Sequence, residues 1–329
     1  MANFWLSYNG SGLGKDGYGV CITSDPLNPL GLPAYTVRVK LAPGYTPGAQ
    51  TDVTHTLVDA TENVWDYYKY QNSDTFASLF KNEVNLLEVL GANTTGVTSM
   101  NFMFNGCNAL TTVPLFDTSS VTSMTSMFQG CPSITTVPLF NTSSVTSMSH
   151  IFSGCSSLTT VPLLDTSRVT GFAGMFYNCS SLTTVPLFNT SSVTNMGTMF
   201  QGCSSLTTIP LFDTSSVTSM NYTFASCTAL TTVPLFNTSR VSNMAYTFVG
   251  CTALTAVPLF NTSAATNMTG MFENCTSVES GALALYTQAS SQTNPPSNHT
   301  NAFKNCGSGN ASGSAELAQI PTSWGGNMA

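Results

Sequence analysis

A stretch of 24 residues, seen cleanly from Cys107 to Gly130, recurs along this chain without insertion, and no other feature restricts the fold as much. Its cysteine returns at 131, 155, 179, 203, 227, 251 and 275, and an earlier, degenerate copy holds Glu83 in the cysteine slot with Phe80, Leu86, Val97 and Met100 in register. A unit this short cannot bury its own apolar face. Successive units must therefore cover one another, and the chain must wind into a solenoid. Nine units are present. Stacked at ~4.8 Å per coil, they give a core roughly 40 Å long.

Within one unit the apolar positions are Val121, Met124, Phe128, Cys131, Ile134, Val137 and Leu139, spaced by 3, 4, 3, 3, 3 and then 2. Helical spacing gives way to extended spacing. The residue ahead of the cysteine slot is Gly, Asn or Ser, as at Gly106, Gly130, Asn178 and Ser226, and Gly or Asn is what a left-handed helix C-cap requires. Met124 to Gln129 is therefore predicted as a short helical turn, as is Phe76 to Phe80, and Leu110 to Val113 as a short strand of a parallel sheet. Pro114 and its equivalents at 138, 162, 186, 210, 234 and 258 cannot donate to a ladder, so the sheet ends or bends there. The Asp/Asn-Thr-Ser corner that follows suits an Asx turn.

The flanks break the period. Residues 9–34 are rich in Gly, Pro, Asn and Ser and are expected to run as an irregular arm, while Val37 and Val39 alternate with Arg38 and Lys40 as in a half-exposed strand. Residues 1–75 are taken as an arm and β-rich cap, 76–280 as the solenoid, and 281–329 as a C-terminal cap. In that last part Ser280 to Ser290 has helical character and Leu317, Ile320 and Trp324 supply apolar bulk.

Charge and chemistry exclude much. Only 7% of residues are charged and the net charge is -7, which leaves no basic field for nucleic acid. No apolar run reaches membrane-spanning length. The start of the chain lacks the basic and apolar regions of a secretory signal. The cysteines Cys107, Cys131, Cys155, Cys179, Cys203, Cys227, Cys251 and Cys275 occupy one position of successive coils. Their Cβ atoms would lie ~4.8 Å apart on parallel vectors, wider than the ~3.5–4.5 Å of a disulfide, so a buried ladder of free thiols is expected. No histidine or second cysteine stands at metal-ligand spacing from any of them. His55, His150 and His299 have no catalytic partner at a recurring offset. Neither catalysis, a metal nor a cofactor is expected. In the corner slot, Asp117, Asp165 and Asp213 never occupy adjacent coils, which avoids like-charge repulsion.

The unit C-x-x-L-T-T-V-P-L-F-[DN]-T-S-x-V-T-x-M-x-x-M-F-x-[GN], with its Phe-x-x-Cys and Leu-x-x-Val-Pro-Leu elements, resembles the BspA-like (treponemal-type) leucine-rich repeats, especially the mycoplasma surface-protein branch. The resemblance runs from Phe76 to about Val278. It implies an α/β leucine-rich-repeat solenoid with short parallel strands, short helical turns and a small β-rich N-terminal cap. It also implies a surface adhesion or recognition role, with similar repeats carried by phages of gut bacteria. Because no export signal precedes Cys21, the first expectation is a phage virion structural protein serving as a fibre, decoration or receptor-binding component. It would attach to other virion proteins through its N-terminal region and meet a host surface glycan or protein, with homo-oligomers left open. The alternative is a bacterial cell-surface adhesin. Core and corner letters hardly change between units, whereas two slots vary, and the residues there, Gln129, His150, Tyr177, Gln201, Tyr222, Tyr246 and Glu273, are the candidate ligand contacts.

Overall fold

The fold is given by a computed structural model that describes residues 27–48, 50, 52–69 and 75–328. Most of the expected attachment arm, with Cys21, lies outside the described residues, as do Tyr70 and Asp74.

Four strands precede the repeats: β1 (Thr36–Leu41), β2 (Val53–Asp59), β3 (Val64–Lys69) and β4 (Leu86–Asn93). They form one sheet in the order β2-β3-β1-β4, with every pair antiparallel. The alternation in β1 is realised, since Val37, Val39 and Leu41 are buried while Arg38 and Lys40 are half-buried. β4 belongs to both halves of the molecule. It closes the sheet, and it also receives the first regular coil through a hydrogen bond from the Thr111 amide to the Leu87 carbonyl at 3.0 Å. Tyr67 of β3 packs on Phe80 with ring centroids 4.8 Å apart, so the sheet and the repeats share one core.

Beyond β4 the chain stacks coil on coil in register. Parallel single-residue bridges link Ser99, Ser123, Ser147, Gly171, Asn195, Ser219, Asn243 and Asn267 in succession. The Phe of each Phe-x-x-Cys element stacks on the next, from Phe80–Phe104 at 5.6 Å to Phe248–Phe272 at 5.0 Å. From Thr94 to Thr238 a buried threonine after the Asx donates its hydroxyl to the next coil, as in Thr118 Oγ1 to the Asn141 carbonyl at 2.8 Å. The Asx turn is present, with the Ser119 amide donating to Asp117 Oδ1 at 2.9 Å.

Three local expectations are overturned. Met124 to Gln129 is not helical. The Met127 amide bonds the Met124 carbonyl and the Cys131 equivalent, Cys107, bonds that of Phe104, which closes one tight turn after another. Ser126 (φ 55°) and Gly130 (φ 71°) hold the third positions of the two turns in that unit, as a type II turn demands. Ser78 (φ 60°) does the same within Phe76 to Phe80. Alternate amides, those of Met124, Ser126, Phe128 and Gly130, are thereby freed to donate to the following coil. Helical spacing of the apolar residues arises here because each turn advances the chain by about one helical turn's worth of residues.

Leu110 to Val113 is not a strand either. Thr111 and Thr112 are both exposed, which a strand with alternating faces would not allow. Parallel pairing there takes the form of isolated bridges, such as Glu88 to Thr112, and of single amide bonds such as Thr159 to the Thr135 carbonyl at 3.2 Å, whereas the bridges that follow one another along the stack sit at the Ser123 slot. Lastly, Leu139 is not a core residue. The Phe140 amide bonds the Pro138 carbonyl at 3.0 Å, a γ-turn with Leu139 at its apex. The turn throws Leu139 into solvent and carries Phe140 into the core at 3% exposure.

At the far end, helix α1 (Ala282–Ser290) falls where helical character was expected, followed by α2 (Ala311–Leu317) and a 3-10 turn at Thr322–Trp324. Glu316 of α2 accepts the amides of Gly281 and Leu283 at 3.2 and 3.0 Å, where a carboxylate suits a helix N-terminus. Phe303 and Trp324 prolong the Phe file, with centroid separations of 6.1 Å from Phe272 to Phe303 and 6.3 Å from Phe303 to Trp324. Leu317, Ile320 and Trp324 are buried and cover the last coil.

Candidate functional site

The varying slots lie on the turn face of the stack. One is the left-handed third position of the first turn, occupied in successive coils by Phe102, Ser126, His150, Gly174, Thr198, Tyr222, Tyr246 and Gly270, all with φ between 55° and 60°. Left-handed backbone costs an L residue roughly 1–2 kcal/mol and glycine nothing. Glycine does stand in this slot at 174 and 270. The bulky aromatics at 222 and 246 therefore occupy it against a backbone preference.

A side chain in this slot leans over the next coil. A Cβ added at Gly174 would meet the His150 ring at 2.2 Å, and one added at Gly270 would meet the Tyr246 ring at 2.4 Å. Small residues thus follow His150 and Tyr246 because the preceding ring lies over their position. Tyr222 and Tyr246 make the one run of two rings, stacked at 4.7 Å with an interplanar angle of 18°. Partial burial, with the neighbouring Tyr246 hydroxyl second, pushes the Tyr222 phenol up from its usual value.

The second slot lies three residues on. Glu273, beside Gly270, pairs with Lys304 at 3.1 Å. The expected contact residues are therefore gathered in part. Tyr246 and Glu273 flank Gly270, Tyr222 stacks on Tyr246 and Lys304 pairs with Glu273, and all but Lys304 are only partly exposed. His150 stands over Gly174, separated from that group by the coil of Thr198. Gln129 lies nearer the sheet, with its amide oxygen accepting from Asn105 Nδ2 at 3.2 Å. Tyr177 and Gln201 are half-buried in the second slot between these groups. Gly270 and Lys304 are the members that sequence reasoning missed. Lys304 follows Phe303 as Glu273 follows Phe272, so opposite charges in one slot of adjoining coils were the available signal.

Eight in-register cysteines and Cys306 are free and buried. They do more than fill space. Each ladder thiol donates to a phenylalanine carbonyl of the preceding coil, as in Cys131 Sγ to Phe104 O at 2.9 Å and Cys203 Sγ to Phe176 O at 3.1 Å. That carbonyl also accepts the amide of its own coil's cysteine, as Cys107 N to Phe104 O, so both its lone pairs are used. Burial pushes the Cys131 and Cys179 thiols up to about 12, which makes them poor nucleophiles. Among the described residues no three His, Cys, Asp or Glu side chains gather as a metal set, and no helix is long and apolar enough to cross a membrane.

A family model described as "Mycoplasma protein of unknown function, DUF285" matches residues 73–186, 170–284 and 207–311. The chain belongs to that family. No curated protein matches it. Among solved structures it is similar to the leucine-rich repeat protein of T. pallidum, at 26% identity and a TM-score of 0.39, over 47% of this chain and 69% of that one. A leucine-rich repeat protein from Eubacterium ventriosum ATCC 27560 is similar at 20% identity and a TM-score of 0.39, over 50% of this chain. This chain spans 43% of the Eubacterium protein.

Proposed function

We propose that the protein is a non-enzymatic recognition scaffold of a bacterial cell surface, whose turn face binds a glycan or protein of the surface to which it adheres. The observation that carries this reading is the Tyr222–Tyr246 stack, set in left-handed backbone beside Glu273 and Lys304. The left-handed slot recurs in every coil, and Tyr222 and Tyr246 are the adjoining pair that fills it with rings although glycine serves there at 174 and 270, which points to a role for those rings. The stacked tyrosines offer apolar ring edges with polar tips, suited to a sugar or to a polar protein surface, and the adjoining carboxylate and ammonium can hydrogen-bond hydroxyls of either. Membership of a mycoplasma family favours a cellular surface over the virion that the phage resemblance suggested, and nothing in the comparisons supports a virion.

The test replaces Tyr177, Tyr222 and Tyr246 together with serine, a residue the first slot already holds at Ser126. The triple variant is expected to melt within a few degrees of the parent, because these side chains are only partly buried. Its adherence to host cells and its retention on a glycan array are expected to fall at least tenfold. Undiminished attachment by the folded variant would remove the turn face from the proposal.

A further inference from the structure

The leucine after each repeat proline, from Leu115 to Leu259, forms a row of seven side chains between 41% and 61% exposed. The γ-turn recurs at Pro186, Pro210, Pro234 and Pro258, so the row is a product of the fold, repeated coil after coil. At ~4.8 Å per coil it runs about 30 Å. Its exposed leucine surface is on the order of 700 Å², above the ~300–600 Å² of the largest apolar patch on a typical monomer. It lies between two polar borders, the exposed threonine pairs such as Thr135 and Thr136 and the Asx corner at Asn141. An apolar centre with a polar rim is the anatomy of a protein interface.

We infer that this row is a self-association surface on which a second copy of the chain docks antiparallel. Two arguments select that occupant. The area matches the ~800 Å² per partner of a standard interface. The pitch is also matched, because a second copy offers leucines at the same coil spacing over the whole row, whereas an aperiodic surface meets only a few of them in register. A two-fold axis through Leu187 pairs Leu163 with Leu211, Leu139 with Leu235 and Leu115 with Leu259, each copy using the same patch. A slip of one coil leaves a leucine uncovered on each copy. The antiparallel sense also sends the two N-terminal regions, where residues 1–75 carry 7 acidic and 4 basic side chains, to opposite ends of the assembly.

Sedimentation of the full chain is expected to show a dimer at about 100 μM, a concentration that populates even a ~10 μM complex. The double variant Leu187→Glu, Leu211→Glu is expected to raise the dissociation constant at least 100-fold by burying unpaired charge, with the parent's melting temperature at about 1 μM, where both chains are monomeric and both positions face solvent. In a Cys21→Ser background, where the remaining described thiols are buried, Leu187→Cys is expected to form a homotypic disulfide under oxidation. Leu163→Cys is expected to cross-link with Leu211→Cys and not with itself, since an antiparallel register puts the two Leu163 positions ~10 Å apart, beyond the ~7 Å that a disulfide spans. A monomeric full chain overturns the inference, whether the row is bare or covered by another segment. Homotypic Leu163→Cys cross-links overturn the antiparallel register.

Discussion

The sheet ahead of the repeats and the repeat stack share one apolar core, yet they satisfy their polar groups by opposite means. The sheet uses individual ion pairs. Arg38 binds Asp66 through two hydrogen bonds at 2.7 and 2.8 Å, Lys69 reaches Asp52 at 3.5 Å, and Lys40 pairs with Glu62. The stack has little charge inside its repeats and relies on ladders of thiol, threonine hydroxyl and Asx repeated coil after coil, in which only Asp117, Asp165 and Asp213 are ionisable at neutral pH. Where every bond has a different partner, one loss stays local. Where one bond is copied along the stack, a single solution variable acts on all copies at once.

The largest test of that contrast is alkaline pH. Burial raises the thiols of Cys107, Cys131, Cys155, Cys179, Cys203, Cys227, Cys275 and Cys306 above their ordinary value of 9.0. Below that value the folded and unfolded chains are both protonated, and the ladder's contribution is whole. Above it the unfolded chain alone ionises until the folded values are reached, so stability falls by about 1.4 kcal/mol per thiol per pH unit. Eight thiols together lose on the order of 10 kcal/mol per unit, comparable to the entire ~5–15 kcal/mol of a folded domain. Far-UV circular dichroism is expected to show cooperative unfolding between about pH 9 and 10.5. A stack still folded at pH 11 would break the comparison.

A smaller effect probes the lean of one coil over the next. Gly174→Ala puts a Cβ against His150 in left-handed backbone, and an expected loss of about 1–3 kcal/mol in urea unfolding follows. Adding His150→Ser removes the clash and leaves only the backbone cost, so the two changes should couple. Strict additivity would mean that the ring does not rest on the neighbouring coil.

The smallest effect is expected in the sheet. Arg38 and Asp66 side chains remain 27% and 21% exposed, so Arg38→Ala should cost no more than about 1 kcal/mol despite good geometry. A loss above about 3 kcal/mol would place the pair among buried ones and erase the distinction between the two regions.

The contrast also separates what could be read early from what could not. In β1 the alternation of Val37 and Val39 with Arg38 and Lys40 leads directly to the observed strand, because a strand has a period that side chains report. In the repeats the same reasoning misassigned Met124 to Gln129 and Leu139. Consecutive turns imitate helical spacing without helical dihedrals, and one γ-turn reverses the inward direction within two residues. The candidate site follows the same division. The variable slots are visible as columns of changing letters, but the lean of Tyr246 over Gly270 depends on which way a left-handed residue points.

The 24-residue period by itself determined that this chain stacks, which positions are equivalent from coil to coil, and that the cysteines lie in register as unpaired thiols. Those results need only the fact that a short unit must cover its neighbour, at a coil spacing wider than a disulfide's. The tertiary structure alone decided which side of each coil faces inward, and so that leucines line one surface while a tyrosine stack, a carboxylate and a lysine meet on another. Direction within a coil is set by the dihedral angles of its turns. No regular period records those angles in the order of residues.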